Sequence, residues 1–166
     1  MKFGCFSVLL FCTALLLSGC GARETQETVE SLPPKPAAFT RESKIEDVKH
    51  DPVFGSYGRL LFPVEDAYYS GDTLEDLGLT YYSHIDPDET VEIVNTLRAR
   101  AKAGQTIFYD IYTAEEKAAD PAKEDTGLFF FKGTPGEKFA ICNAGGAFAY
   151  VGAMQDSFPH ALELSK

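Results

Sequence analysis

Basic residues are scarce and scattered, 15 Lys and Arg against 25 Asp and Glu, for a formal net charge of −10. No cluster of them can replace the counterions around a phosphate backbone, so nucleic acid is excluded as a partner. Periodicity is lacking too. The chain has no glycine period, no sustained heptad and no self-similar block of about 20 to 50 residues, which excludes collagen, coiled-coil and repeat architectures. Phosphate-cradling turns of the Gly-x-Gly-x-x-Gly or Gly-x-x-x-x-Gly-Lys kind are missing. The only histidines, His50, His84 and His160, form no pair at i, i+4 spacing. Asp86-Pro87-Asp88 lacks the glycine a calcium loop needs at its sixth position, where Val91 stands, so neither a metal nor any other cofactor is expected. What is present is a globular composition, 45% hydrophobic and 13% aromatic over 166 residues. That much apolar surface can offset the entropy of ordering, and the length corresponds to one domain.

The longest apolar run opens the chain, where Met1-Lys2 is followed by Phe3 to Leu17 without a charge. About fifteen residues are too few to span a bilayer, which takes about 20, but they suit the h-region of a secretory signal. The ending Leu17-Ser18-Gly19-Cys20 resembles the lipobox of bacterial lipoproteins. That resemblance implies a signal segment over residues 1–20, cleavage before Cys20, a lipid on the Cys20 thiol, and an extracytoplasmic protein anchored to the bacterial cell membrane. Cys5 and Cys12 would leave with the signal and acylation would consume Cys20. Cys142 would then stand alone and no internal disulfide could form. Residues 21–44, with Leu32-Pro33-Pro34-Lys35-Pro36, read as a disordered tether with a reach on the order of 25 to 30 Å. The excess charge sits beyond it, since residues 45–166 carry 10 bases and 21 acids, a net −11. Such a surface is repelled by anionic lipid, which leaves membrane attachment to the anchor.

Asp86 has N-cap chemistry, Pro87 follows at the first helical position, Glu89 stands three residues on and Gly104 supplies a stop. The spacing predicts a helix over 87–103 with Val91, Val94, Leu97 and Ala101 inward and Glu92, Arg98, Arg100 and Lys102 outward. Residues 107–112 are β-branched and aromatic, and read as a strand. Thr113 with Glu116 forms a capping box for a short helix that stops near Asp120-Pro121. Leu128 to Phe131 and Phe139 to Cys142 are apolar runs bounded by turns, as in strands buried on both faces. Ser157 with Pro159 opens a last helix.

The stretch from Phe139 through Ala144-Gly145-Gly146-Ala147-Phe148 to Tyr150 then resembles the oxyanion-hole turn of α/β hydrolases, in which a buried strand runs into a glycine-rich turn and on toward a helix. The match is closest to secreted and lipid-anchored carboxylesterases and xylan esterases. It includes the flanking residues Thr126 to Phe131 and Ser157-Phe158-Pro159-His160-Ala161. It implies an α/β fold over residues 105–166, the first strands and first helix of a three-layer hydrolase-like sheet, with residues 45–104 as an N-terminal helical extension. It also implies that the backbone N–H groups of Gly145, Gly146 and Ala147 face the oxyanion formed on a small-molecule or carbohydrate ester. Ala144 departs from the usual His or Pro, and Ala147 from the usual third Gly. The family's Gly-x-Ser-x-Gly elbow, acid and histidine follow this turn in chain order and are absent. Phe54-Gly55-Ser56-Tyr57-Gly58 comes nearest and reads as a surface turn. The expectation is therefore an inactive segment truncated before the nucleophile. The alternative is a non-catalytic binding lipoprotein, with Tyr68, Tyr69, Tyr81, Tyr82, Tyr109 and Tyr112 available to line a sugar or aryl pocket.

Overall fold

Asp86 starts the longest element. In a computed structural model that describes residues 38–82 and 84–166, its carboxylate accepts the N–H of Asp88 (2.9 Å) and of Glu89 (3.5 Å), with Pro87 at the first helical position. These contacts satisfy N–H groups that a helix start leaves without partners. In chain order the helices are α1 (Ile45–Lys49), α2 (Pro87–Lys102), α3 (Ala114–Ala119) and α4 (Ser157–Leu164). The strands are β1 (Tyr69–Ser70), β2 (Gly78–Leu79), β3 (Phe108–Tyr109) and β4 (Leu128–Phe129). Tight 3-10 turns occupy Gly55–Leu61, Asp66–Tyr68 and Pro121–Asp125. The helix α2 ends one residue short of the expected 103, and Gly104 at φ +77° turns the chain where a side chain would be strained.

The buried stripe of α2 is Thr90, Ile93, Val94, Leu97 and Arg98, while Val91 and Ala101 are half-buried. Arg98 is a correction, because the helical pattern placed it outward and it is 5% exposed. Its Nε donates to Asp51 Oδ2 at 2.9 Å, and its guanidinium lies 4.9 Å from the centre of the Phe39 ring. Asp51, 1% exposed, also accepts the Val53 N–H at 2.9 Å. A charge so buried is tolerable only when paired and hydrogen-bonded. Around this pair pack α1 and the turn after it. Gly58 comes so close to α1 that a Cβ there would sit 2.4 Å from the Lys49 carbonyl oxygen.

The tether boundary also moves. Phe39 is 2% exposed, and the Asn95 side chain grips its backbone at both ends, accepting from the Phe39 N–H and donating to the Phe39 carbonyl, each at 2.8 Å. Residues 39–44 thus belong to the packed structure. Nor does the core divide at 104. It runs from Phe39 to Ile107 and resumes at Ala153, Met154, Phe158 and Leu162 in one cluster. The signal segment, Cys20 and residues 21–37 of the tether lie outside the described residues.

Helices and small sheets therefore coexist, a loosely α/β arrangement, but the sheets are not the expected ones. There are two, each of two antiparallel strands: β1 with β2 (Tyr69 opposite Leu79) and β3 with β4 (Phe108 opposite Phe129). The run expected at 107–112 contributes two residues to a strand, and that at 128–131 likewise two. Phe139 to Cys142 forms no strand. Phe139 is 88% and Ile141 71% exposed, which overturns the expectation of a strand buried on both faces. Burial on both faces requires neighbouring strands and covering helices, and among the described residues neither reaches this segment. The capping box fares better, with Thr113 Oγ1 accepting the Glu116 N–H and Glu116 accepting the Thr113 N–H.

Candidate functional site

Beyond Cys142 the chain makes a tight turn. The Ala149 N–H donates to the Gly146 carbonyl at 2.9 Å, and the two residues between have positive φ, Ala147 at +54° and Phe148 at +60°. Those signs belong to a mirror-image turn, whose central positions favour glycine, asparagine and aspartate. An alanine and a phenylalanine there are strained, each by about 1 to 2 kcal/mol. Burial does not account for it, since Phe148 is fully exposed. Gly146 has no alternative to glycine, because its φ is +143° and a Cβ would lie 1.9 Å from the Tyr150 carbonyl oxygen.

The three residues proposed as oxyanion donors now separate. The Gly145 N–H is committed to Asp156 Oδ2 at 2.6 Å. The N–H groups of Gly146, Ala147 and Phe148 have no hydrogen-bond partner among the described residues. Asp156 is the residue before α4, yet its carboxylate makes no cap bond to that helix. It turns to the glycine turn, where it also accepts the Tyr82 hydroxyl at 3.2 Å. A Cβ on Gly145 would stand 2.9 Å from that hydroxyl and 3.0 Å from that carboxylate, so a larger residue would push the two side chains of the clasp aside. Burial, with the Asp156 carboxylate beside it, pushes the Tyr82 phenol above its ordinary pKa, and the hydroxyl stays a donor at neutral pH.

Ala144 and Ala149, which flank the turn, line a groove of about 1260 Å³ whose walls include Phe62, Phe129, Phe131 and Phe158. The Phe158 ring meets Phe129 edge-on at 5.0 Å between centres and lies 5.5 Å from Phe131. Such a surface suits an apolar ligand with few polar anchors.

The other candidates scatter. Ser56 is exposed in the turn of Gly55–Leu61, which is not a strand-to-helix elbow. Cys142 is half-buried and outside any strand. His160 Nδ1 is 2.7 Å from the Asp156 carbonyl oxygen, and among the described residues no hydroxyl or thiol is hydrogen-bonded to its ring. No group of three or more His, Cys, Asp or Glu converges as metal ligands would, among the described residues. The tyrosines divide. Tyr69 bonds to Lys49 and Asp66, Tyr109 meets Phe130, Tyr112 lies under Lys123, and Tyr68 and Tyr81 gather at Tyr150. Neither Tyr150 nor Asp156 stood out in the sequence. The contacts of Asp156 reach back 74 residues to Tyr82 and 11 to Gly145, and no local motif marks them. Comparison with protein families, with curated proteins and with solved structures finds no match to this chain.

Proposed function

We propose that this chain carries the oxyanion-donor turn of a lipid-anchored, extracytoplasmic esterase of the α/β-hydrolase kind, acting on small-molecule or carbohydrate carboxylic esters. The observation that carries the reading is the strained turn, exposed at Ala147 and Phe148 and buried at Gly146, whose Gly146 and Ala147 N–H groups have no hydrogen-bond partner among the described residues. Backbone strain kept without burial is the mark of a functional constraint. Two adjacent N–H donors held by a fixed turn are what a developing oxyanion needs. On this reading Gly145 is a positioning residue, tied through Asp156 to Tyr82, and the donors are Gly146 and Ala147. The apolar groove takes the organic part of the ester. Phe130, Phe139, Ile141 and Val151, all exposed, would be covered by further strands of a larger three-layer sheet. The nucleophile is assigned to a Gly-x-Ser-x-Gly elbow that residues 1–166 do not hold.

Reading the gene beyond codon 166 tests this. An open frame reaching Gly-x-Ser-x-Gly and then Asp and His supports it, and an immediate terminator overturns it. The anchor is tested separately. Labelled palmitate should enter the wild-type chain and not Cys20→Ala, and a wild type that takes up no lipid removes the lipoprotein reading. A second reading, a non-catalytic binding lipoprotein, is favoured by the tyrosine cluster beside the turn.

A further inference from the structure

Tyr68, Tyr150 and Tyr81 form a column. Tyr68 and Tyr150 stack with centres 5.1 Å apart and planes 21° from parallel; Tyr150 and Tyr81 follow at 6.3 Å and 15°. Tyr68 and Tyr150 are half-buried, whereas Tyr81 is 70% exposed. The column is fixed from several sides. The Tyr150 hydroxyl donates to the Thr80 carbonyl, and the Tyr150 N–H donates to the Gly146 carbonyl at 3.3 Å. Tyr81 is the third residue of a turn closed by the Tyr82 N–H on the Leu79 carbonyl at 3.1 Å.

Its φ of +74° suits the third position of a type II turn, where glycine or asparagine is favoured and a bulky ring is an outlier. Exposure gives that ring no burial in return for the strain. Parallel offset rings attract at centre separations of about 4.5 to 7 Å, and the outward face of Tyr81 repeats the surface that Tyr150 already uses. The net −11 of residues 45–166 disfavours an anionic guest.

We propose that the exposed face of Tyr81 is a binding subsite for an uncharged aromatic ring, which extends the Tyr68–Tyr150–Tyr81 column by one member. The subsite needs no nucleophile and stands apart from the esterase reading. Where both hold, it seats an aryl group close to the donor turn, since Tyr150 is hydrogen-bonded to Gly146.

The test is a titration of the full chain, with tyrosine rings isotope-labelled for NMR, against three probes: benzyl alcohol, cyclohexylmethanol and xylobiose. Benzyl alcohol should shift the Tyr81 and Tyr150 ring signals and bind about three- to tenfold more tightly than cyclohexylmethanol, the margin that ring stacking adds to apolar contact. Tyr81→Gly, which suits the turn, should move the free-state Tyr150 signal that Tyr81 overlies, leave the tyrosine signals outside the column unchanged and abolish the ligand-induced shifts, while Tyr81→Phe retains them. Equal affinity for cyclohexylmethanol, shifts that survive Tyr81→Gly, a response to xylobiose alone, or no response to any probe would each overturn the proposal. Ester hydrolysis plays no part in the readout, so failure of the esterase reading leaves these outcomes unmoved.

Discussion

Between Phe39 and Ile107 the large apolar side chains point mostly inward; between Tyr109 and Val151 they point mostly outward. Thirteen of the seventeen buried hydrophobics fall in the first stretch and none in the second, where Tyr109, Ile111, Leu128, Phe130, Phe139, Ile141, Phe148 and Val151 are all exposed. Aromatic content does not separate the two, since both are rich in Phe and Tyr, but aliphatic content does, with six Leu and four Ile in the first against one Leu and two Ile in the second. The first stretch carries a sixteen-residue helix that packs against α4 and shares one buried cluster with residues of α1 and the turn after it, whereas the second offers two-residue strands and a six-residue helix with no buried residue. A hydrophobic run buries itself only when another element presents a face to it.

The sharpest way to break that contrast is to remove the charge that the first stretch encloses. Asp51→Ala should cost about 3 to 5 kcal/mol, because Arg98 would stay buried without its carboxylate, and urea denaturation should find the variant largely unfolded. Next in size is a cavity. Leu97→Ala, at a fully buried position, should cost about 2 to 5 kcal/mol. A similar truncation on the other side, Ile141→Ala, should stay within about 0.5 kcal/mol. If the two lost equal stability, the exposed stretch would have to be packed in solution. Smaller again is the cap, where Asp86→Ala should lower stability by about 1 kcal/mol and helical circular dichroism in proportion.

The smallest effect is in pH. The Arg41 guanidinium, whose Nε lies 2.7 Å from Asp88 Oδ1, holds the Asp88 carboxyl below the ordinary aspartate range, and Lys117 does the same for Asp110. A lowered folded-state pKa stabilises above the unfolded value and loses that contribution as pH falls through the folded one. Stability should therefore fall slightly below about pH 4. Both carboxylates are exposed, so added salt should flatten this acid limb, and a limb insensitive to salt would point to other groups.

What could be read in advance followed the same division. The helix α2 was legible because its signals are local: a cap, a proline, a stripe and a terminal glycine within twenty residues. The Thr113 box was legible for the same reason. Arg98 was misplaced because a helical pattern sorts residues by polarity, and only the distant Asp51 makes its inward position tolerable. Phe139 to Cys142 failed in the opposite sense, since apolar content describes what a strand would bury and says nothing of whether a partner arrives. At the site, the glycine-rich turn was visible as a turn, but not the +143° backbone at Gly146 that admits no side chain. The Tyr82–Asp156 clasp, the loss of Gly145 as a free donor and the Tyr150 column depend on contacts that no spacing encodes.

The grip of Asn95 on Phe39 bears on load. Two opposed hydrogen bonds close on one residue, and its ring is wedged beneath the Arg98 guanidinium. Tension arriving from the N-terminal side therefore meets this latch at the first core residue. The pull must break both bonds together and draw an aromatic plug from its socket, so the rest of the packing is shielded until that single residue gives way.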